Sequence, residues 1–201
     1  MNLEAVQRHY DALIAEGNDP VCDPPELQAY MDQWDGETFL SALALRGWES
    51  VLEIGVGTGR LALRIAPQCG ALTGIDLSPL TIERACEHLA GQAHVKLLCG
   101  DFMACAFEQK FDLICSSLTF MHLPDKQGAA GKIASLLKPD GRVVISIDKD
   151  QSGVIDYGTR QVRVYPDTPE ALEAAFRKAG LTIGERKETP FAWIITARLQ
   201  S

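Results

Sequence analysis

Short apolar runs alternate with helix-like stretches along the chain from residue 51 onward. Mostly apolar runs of strand length occupy residues 51–54, 71–75, 95–99, 111–115 and 142–147. Helical spacing of apolar residues falls between them, over 61–66, 78–89 and 128–137. This alternation is typical of a parallel sheet covered by helices on both faces. The pattern therefore predicts an α/β fold, with a turn at 138–141 leading into the fifth strand.

The pattern changes in the last part of the chain. Thr168 and Pro169 are typical of a helix start, and Gly180 ends the helix that they begin. Two strand-like runs follow, 181–186 and 191–197, with only a break at 189–190 between them. Strands joined by so short a connection are antiparallel. The last strand is thus predicted to run against the others.

Helices are also predicted before the sheet. Apolar residues at 3, 6, 10, 13 and 14 share one helical face, Gly17 follows as a stop, and a second helix covers 26–45 with a break near 35–36. The stretch 151–165 alternates apolar and polar residues around Gly158 and Thr159, which predicts a hairpin. We therefore divide the chain into an N-terminal helical segment, 1–48, and a sheet domain, 49–201, with a hairpin insertion at 151–165.

Composition narrows the class of protein. The chain has 201 residues, 46% of them hydrophobic, and a formal net charge of −8. It is long enough for a substantial core, and no apolar run approaches the roughly 18 residues of a membrane span. Its acidity and the lack of a Lys/Arg cluster argue against a nucleic-acid partner. No pair of the six cysteines has C-x-x-C spacing and the N-terminus has no secretory pattern, so we expect a cytoplasmic protein with reduced thiols and no metal.

A glycine-rich segment stands where the first strand should end. Glu53 is followed by Gly55, Gly57 and Gly59, and the next helix begins directly afterwards. Closely spaced glycines let the backbone turn sharply and approach a ligand, and the helix start favours an electronegative group. A dinucleotide fingerprint would place its third glycine at position 60, which is Arg60. This arginine is expected to cap or form a local salt bridge rather than hold a ligand carboxylate.

Two further acids follow the next two strands. Asp76 and Leu77 close the second strand, 21 residues after Gly55 (76 − 55). A carboxylate there accepts hydrogen bonds from both hydroxyls of a ribose. Asp101 follows the third strand and precedes Phe102, an arrangement that suits an exocyclic amine and an adenine ring. Each acid is also open to a plainer interpretation as a turn residue, and Phe102 as part of the core.

Together these residues resemble the first three cofactor motifs of the class I S-adenosylmethionine-dependent methyltransferases, of the small type often labelled 11 or 25. The resemblance runs from about residue 50 to the C-terminus. It implies a doubly wound, Rossmann-like sheet of seven strands in the order 3-2-1-4-5-7-6, with strand 7 antiparallel. It also implies S-adenosylmethionine as cofactor, S-adenosylhomocysteine as product, and a methionine moiety against the glycine turn. The implied cofactor-binding residues are Glu53, Gly55, Gly57, Gly59, Asp76, Leu77, Asp101, Phe102 and Ser117.

The methyl acceptor is expected to face the ends of strands four and five. Ser117 and its neighbours in 116–125 leave room there and offer backbone carbonyls to the cofactor's ammonium. His122 is the side chain of this loop suited to accept a proton at neutral pH, and both a catalytic and a structural role stay open. Tyr10 is the first candidate to close over the cofactor through a cation–π contact, with Tyr30 and Trp34 in the same helical lid.

The leading hypothesis is an S-adenosylmethionine-dependent methyltransferase that acts on a small-molecule acceptor. Only the first fifty or so residues and the 151–165 insertion are left to recognise that acceptor, which is less than a recognition domain needs. No Asn-Pro-Pro-Tyr run follows strand four, which weighs against methylation of nucleic-acid bases. The alternatives are a non-catalytic module that binds the cofactor or its product and, less well supported, an NAD-dependent oxidoreductase. The acceptor atom and the oligomeric state stay open.

Overall fold

Strands and helices alternate through the central part of the chain. The computed structural model describes residues 3–200, and residues 1, 2 and 201 of the predicted segments lie outside the described part. The strands are β1 (Ser50–Ile54), β2 (Ala71–Asp76), β3 (Val95–Cys99), β4 (Phe111–Ser117), β5 (Leu137–Asp148), β6 (Val154–Asp156), β7 (Gln161–Arg163), β8 (Leu181–Glu188) and β9 (Ala192–Leu199). The helices are α1 (Leu3–Ala15), α2 (Pro25–Asp35), α3 (Glu37–Leu43), α4 (Ala62–Ile65), α5 (Pro79–His88), α6 (Lys126–Leu136) and α7 (Pro169–Lys178).

Seven strands form one sheet in the order β3-β2-β1-β4-β5-β9-β8. The first five pair in parallel, and β9 is antiparallel to both of its neighbours. Numbered within this sheet, the order is the predicted 3-2-1-4-5-7-6 with the seventh strand reversed. The fold prediction is therefore confirmed. The ends of β1, β2, β3 and β4 come together at one edge, where open parallel sheets bind ligands.

The start of β5 differs from the prediction. Residues 138–141, predicted as a turn, lie within β5 as a bulge: Phe111 pairs with Leu137, but Leu113 pairs with Arg142. Asp140 takes a φ of 59° there. One residue of β4, Asp112, thus lies opposite the four residues 138–141 of β5, because the turn-forming residues loop out without ending the strand.

Helices cover both faces of the sheet. One core cluster holds α6 and α7 through buried residues such as Ile133 and Phe176. The other holds α3, α4 and α5 through residues such as Phe39, Ile65 and Ile82. The side chains of the predicted N-caps Ser78 and Thr168 accept hydrogen bonds from backbone N–H groups. Asp125 caps α6 in the same way, although the sequence did not indicate this cap.

The N-terminal helices lie over the ligand-binding edge of the sheet. The predicted break near residue 36 separates α2 from α3, because Gly36 leaves the helical conformation with a ψ of −135°. A Cβ there would lie 2.6 Å from the Asp32 carbonyl oxygen, so the turn requires glycine. The predicted hairpin is present as β6 and β7, which form a separate two-stranded sheet. Arg160 in this hairpin reaches α1, donating to Nδ1 of His9 at 3.0 Å and to Glu16 at 2.7 Å. No helix within residues 3–200 is long and apolar enough to cross a membrane.

Candidate active site

The glycine turn, residues 55–59, carries the chain from β1 toward α4. The N–H groups of Gly55 and Val56 both donate to the Ile75 carbonyl, at 2.8 and 3.1 Å, so the turn is anchored on β2. Gly55 and Gly57 take φ values of 79° and 58°. A Cβ on Gly55 would collide with the Thr119 side chain, whereas one on Gly57 would meet no atom within 4 Å. Gly55 therefore serves close packing, and Gly57 leaves backbone open to a ligand.

Glu53 lies directly before the turn and is buried. It is 2% exposed, and its Oε2 atom has no hydrogen-bond partner. Burial raises the pKa of Glu53 to about 8, against the opposing effect of the Arg60 guanidinium. A buried carboxyl without a partner is costly unless a ligand supplies one. Glu53 thus fits the ammonium or another donor of a bound molecule.

Asp76 lies at the end of β2, across from the glycine turn. Its carboxylate accepts the N–H of Gly57 and the N–H of Ser78, both at 3.0 Å. Burial raises the pKa of Asp76 and outweighs these hydrogen bonds. Each oxygen keeps a further acceptor site, so the carboxylate is fixed in place and still able to accept from a ribose hydroxyl.

Asp101 and Phe102 follow β3 beside Asp76. The N–H of Gly100 donates to the Asp76 carbonyl at 2.8 Å, which holds the ends of β2 and β3 together. Asp101 accepts the N–H of Met103 at 2.9 Å. Phe102 is 5% exposed and packs in the core, but it also lines the cavity described next. Phe102 therefore belongs to the core and also borders the cavity, and its place beside an adenine ring stays a prediction.

One cavity of about 380 Å³, the main cavity, lies between the strand ends, α1 and the hairpin. Ten predicted site residues line it: Tyr10, Glu53, Gly55, Gly57, Asp76, Leu77, Asp101, Phe102, Ser117 and His122. Gly59 is the exception among the predicted residues. A Cβ on Gly59 would lie 3.3 Å from Leu89 after α5, so its place is in the packing of the turn against that helix. The volume suits a drug-sized ligand.

Tyr10 and His122 meet across the main cavity. The Tyr10 hydroxyl and His122 Nε2 are 2.8 Å apart, while His122 Nδ1 has no partner. Burial lowers the pKa of His122 to about 4, with smaller contributions from His9 and Lys126, and burial raises the pKa of Tyr10. Both side chains are therefore neutral near pH 7. Tyr10 lines the main cavity and bonds His122, a contact that the sequence did not indicate, and its cation–π contact with the cofactor stays a prediction.

A buried carboxylate on α2 was missed by the sequence analysis. Asp35 is 2% exposed and accepts hydrogen bonds from Arg60 and from the Ser117 hydroxyl, the latter at 2.6 Å. Arg60 also bonds Asp32 at 3.2 Å. Arg60 thus forms the local salt bridge considered from the sequence. Asp35 joins α2 to the glycine turn and to the end of β4, and its position beside Gly36 was interpreted only as a helix break.

Asp19, Cys22 and His88 form a separate polar cluster on the protein surface. Their ligand atoms lie within 4.8 Å of one another, and all six cysteines are free thiols. Asp19 bonds His88 at 2.7 Å and lies 3.6 Å from the Arg84 guanidinium. These contacts of Asp19 account for the geometry, and we assign no ligand to it. Sequence spacing gives no sign of the cluster because the fold alone brings α5 beside residues 19–22.

Comparison with known proteins agrees with this geometry. Residues 51–141 match the family model described as a methyltransferase domain. An uncharacterized methyltransferase of Anoxybacillus flavithermus is 31% identical over 188 residues, covering 85% of this chain and 87% of the relative. Magnesium protoporphyrin IX methyltransferase from Synechocystis, solved with bound S-adenosylhomocysteine, has a TM-score of 0.79 at 16% identity, with 100% of both chains covered. The [4+2]-cyclase SpnF has the same fold, with a TM-score of 0.77 at 18% identity, 100% of this chain and 97% of its own being covered.

The fold, the site and the sequence relatives define one class of enzyme. The chain belongs to the class I S-adenosylmethionine-dependent methyltransferases. Its cofactor is S-adenosylmethionine. Membership of this class thus speaks against the NAD-dependent oxidoreductase considered from the sequence. The SpnF likeness shows that the fold alone does not fix the reaction.

Proposed function

We propose that this methyltransferase acts on a small-molecule acceptor. The observation that carries the proposal is the roof over the main cavity. Leu3, Val6 and Tyr10 of α1 cover it from one side, and Ile155 and Tyr157 of the hairpin from another. A cavity covered from two sides in this way suits a metabolite better than a macromolecule. The Synechocystis fold neighbour is named for such a substrate, magnesium protoporphyrin IX.

The proposed cofactor contacts follow from the main cavity. Asp76 and Leu77 take the ribose, Asp101 and Phe102 the adenine, and Glu53 with the glycine turn the methionine moiety. Ser117 contributes through its backbone carbonyl, since its hydroxyl already donates to Asp35. Gly59 acts indirectly, by holding the turn against Leu89.

The chain's own part in the reaction is alignment and exclusion of water. S-adenosylmethionine supplies an electrophilic methyl on a sulfonium sulfur, and transfer to the acceptor's nucleophilic atom leaves the neutral thioether of S-adenosylhomocysteine. Because the leaving group becomes neutral, positioning and a dry cavity matter most. We propose that Tyr10 closes over the reacting end and that His122 contacts it through Nδ1, which is free to accept a proton when Nε2–H donates to Tyr10.

The division of the chain is part of the same proposal. Residues 1–48 act as a helical lid on the sheet domain, 49–201, and the insertion at 151–165 completes the roof. A cytoplasmic location is proposed from the free cysteines. The net charge of −8 supports a role without nucleic acid.

Calorimetry and turnover test the proposal together. Titration with S-adenosylhomocysteine should give binding that Asp76→Ala weakens by at least about a hundredfold, the loss of about 3 kcal/mol expected for a buried charged acceptor. Glu108→Gln, at an exposed position, should leave the affinity unchanged. Unaltered affinity in Asp76→Ala would contradict the site assignment.

A screen with methyl-labelled cofactor tests the acceptor class. Amines, phenols, thiols and carboxylates of metabolite size form the panel, and transfer of label to one of these classes is expected. Binding of the product without transfer to any of them would instead favour the non-catalytic module.

A further inference from the structure

A second cavity adjoins the main cavity. Its volume is about 380 Å³, and it lies between α2, the end of β5 and the hairpin. The residues that line both cavities are Met31, Leu118, Met121, Ile155 and Tyr157. Leu118 stands at this boundary with a φ of 52°, which a branched side chain rarely adopts. The second cavity is therefore placed to hold a molecule directly beside the cofactor.

The charged side chains that line the second cavity are acidic. They are Asp148, Asp150, Asp156 and Asp167, and no Lys, Arg or His of residues 3–200 lines it. Lys126 neutralises Asp167 through an ion pair of 2.7 Å. The other three carboxylates accept only neutral donors among the described residues, such as the N–H of Gly158 on Asp156 at 2.7 Å. Three of the four carboxylates thus have no ion-pair partner among residues 3–200.

Aromatic rings complete the wall. Trp34 donates its indole N–H to Asp148 at 3.1 Å and packs on Phe191 with ring centroids 4.6 Å apart, so its orientation is fixed. Tyr157 lies against the His9 ring at 4.3 Å and is 43% exposed. Carboxylates together with aromatic faces attract cations, and an anion entering here would meet unpaired negative charge.

We propose that the methyl acceptor carries a positively charged nitrogen group and binds in the second cavity. This inference rests on the proposed function as a small-molecule methyltransferase and names the class of the acceptor. The charged group fixes the acceptor against Asp148 and Asp156, while Leu118 and Met121 line the passage where the two cavities adjoin. The methylated atom lies at the end of the acceptor that reaches the main cavity, in contact with the cofactor's methyl group.

Matched probes of different charge test the proposal. Phenethylamine, phenethyl alcohol and hydrocinnamate share a ring and differ in charge, as do butylamine, butanol and butyrate without one. They are titrated by calorimetry into the chain saturated with S-adenosylhomocysteine. We expect one of the amines to bind at least about tenfold more tightly than its alcohol, and neither carboxylate to bind.

Variants identify the groups responsible. Asp148→Asn/Asp156→Asn should weaken amine binding at least about fivefold and leave the affinity for S-adenosylhomocysteine unchanged. The control Glu83→Gln/Glu108→Gln removes the same charge at exposed positions and should change neither affinity. If the double variant loses S-adenosylhomocysteine binding, Asp156→Asn on the exposed hairpin replaces it in the comparison.

The outcomes distinguish the proposed acceptor class from the proposed methyltransferase function. Equal affinity for amine and alcohol, no amine binding in either set, or unchanged amine affinity in the variants would overturn the acceptor class and leave the small-molecule methyltransferase in place. Failure of the wild-type chain to bind S-adenosylhomocysteine would overturn both.

Discussion

Replacing Glu53 by glutamine tests whether burial holds this carboxyl neutral in the ligand-free protein. Burial raises the pKa of Glu53 from 4.5 to about 8. Nearby charges act in both directions, because Arg60 lowers this pKa while Asp35 and Asp76 raise it. At neutral pH the folded chain therefore keeps a proton here that the unfolded chain has lost.

A raised folded-state pKa means that stability falls as pH rises. Below pH 4.5 the carboxyl is protonated in both states, and between 4.5 and about 8 only the unfolded state releases the proton. The free energy of unfolding therefore decreases across this window and levels off above it. A shift from 4.5 to about 8 amounts, at roughly 1.4 kcal/mol per unit, to on the order of 5 kcal/mol in full and 3 kcal/mol near pH 7. Glu53→Gln removes this dependence.

Glu49 supplies the matched control because it is a buried glutamate with the opposite shift. Burial acts to raise its pKa, but the Arg46 N–H and the Arg142 guanidinium outweigh burial and hold the pKa below 4.5. The stabilisation from Glu49 is therefore present above pH 4.5 and is lost only as pH falls through its folded-state pKa. Glu49→Gln should lower the Tm by the same amount throughout the range from about pH 5 to about pH 9.

Thermal unfolding followed by circular dichroism at several pH values between about 5 and 9 measures the effect. The Tm of Glu53→Gln relative to wild type should increase over this range by on the order of 10 °C, at roughly 2–4 °C per kcal/mol for a chain of this size. A constant cost of burying the amide shifts the whole curve and does not change the trend. Parallel curves for the two proteins would refute the reasoning and mean that Glu53 is ionised before any ligand binds.

Other substitutions probe packing, proton transfer and the roof. Gly55→Ala should lower the free energy of unfolding by about 3 kcal/mol, because a φ of 79° is strained for alanine and the new Cβ meets Thr119; urea titration measures the loss, and adding Thr119→Ala should recover part of it. His122→Gln should lower kcat by only about tenfold, since an imidazole with a pKa of about 4 is a weak base; a change in the shape of the kcat/KM profile between about pH 6 and 9 would contradict this. Arg160→Gln should speed dissociation of S-adenosylhomocysteine severalfold in stopped-flow chase, because it detaches α1 from the hairpin; Arg163→Gln on the same hairpin is the control.

The sheet could be predicted because its information is local. Each parallel strand is a short, mostly apolar run, and the short break at 189–190 dictates an antiparallel pair. The sequence did not predict the bulge at 138–141, because its residues are the same ones that form turns. Whether the chain loops out of a strand or starts it there depends on pairing with β4, which no local pattern records.

The site residues likewise fall into those that local sequence places and those that tertiary packing places. Glu53, Asp76 and Asp101 follow successive strands, so parallel topology alone brings them to one edge. Asp35 and the bond between Tyr10 and His122 depend on how helices outside the sheet pack, across sequence separations of 82 and 112 residues. The second cavity is likewise formed between α2 and the hairpin, and its charge becomes apparent only once Asp148 and Asp156 are seen on the same wall.

The contact between Arg160 and Glu16 can form only late in the synthesis of the chain. These residues are 144 apart in the chain, so α1 leaves the ribosome long before its partner hairpin exists. At roughly 5–20 residues per second the delay is about 7–30 s. During that interval the apolar residues Leu3, Val6 and Leu13, which face the main cavity, have no hairpin opposite them. The cover of α1 is therefore completed long after the helix itself is synthesised, and a nascent chain stalled before residue 160 would present this surface to chaperones.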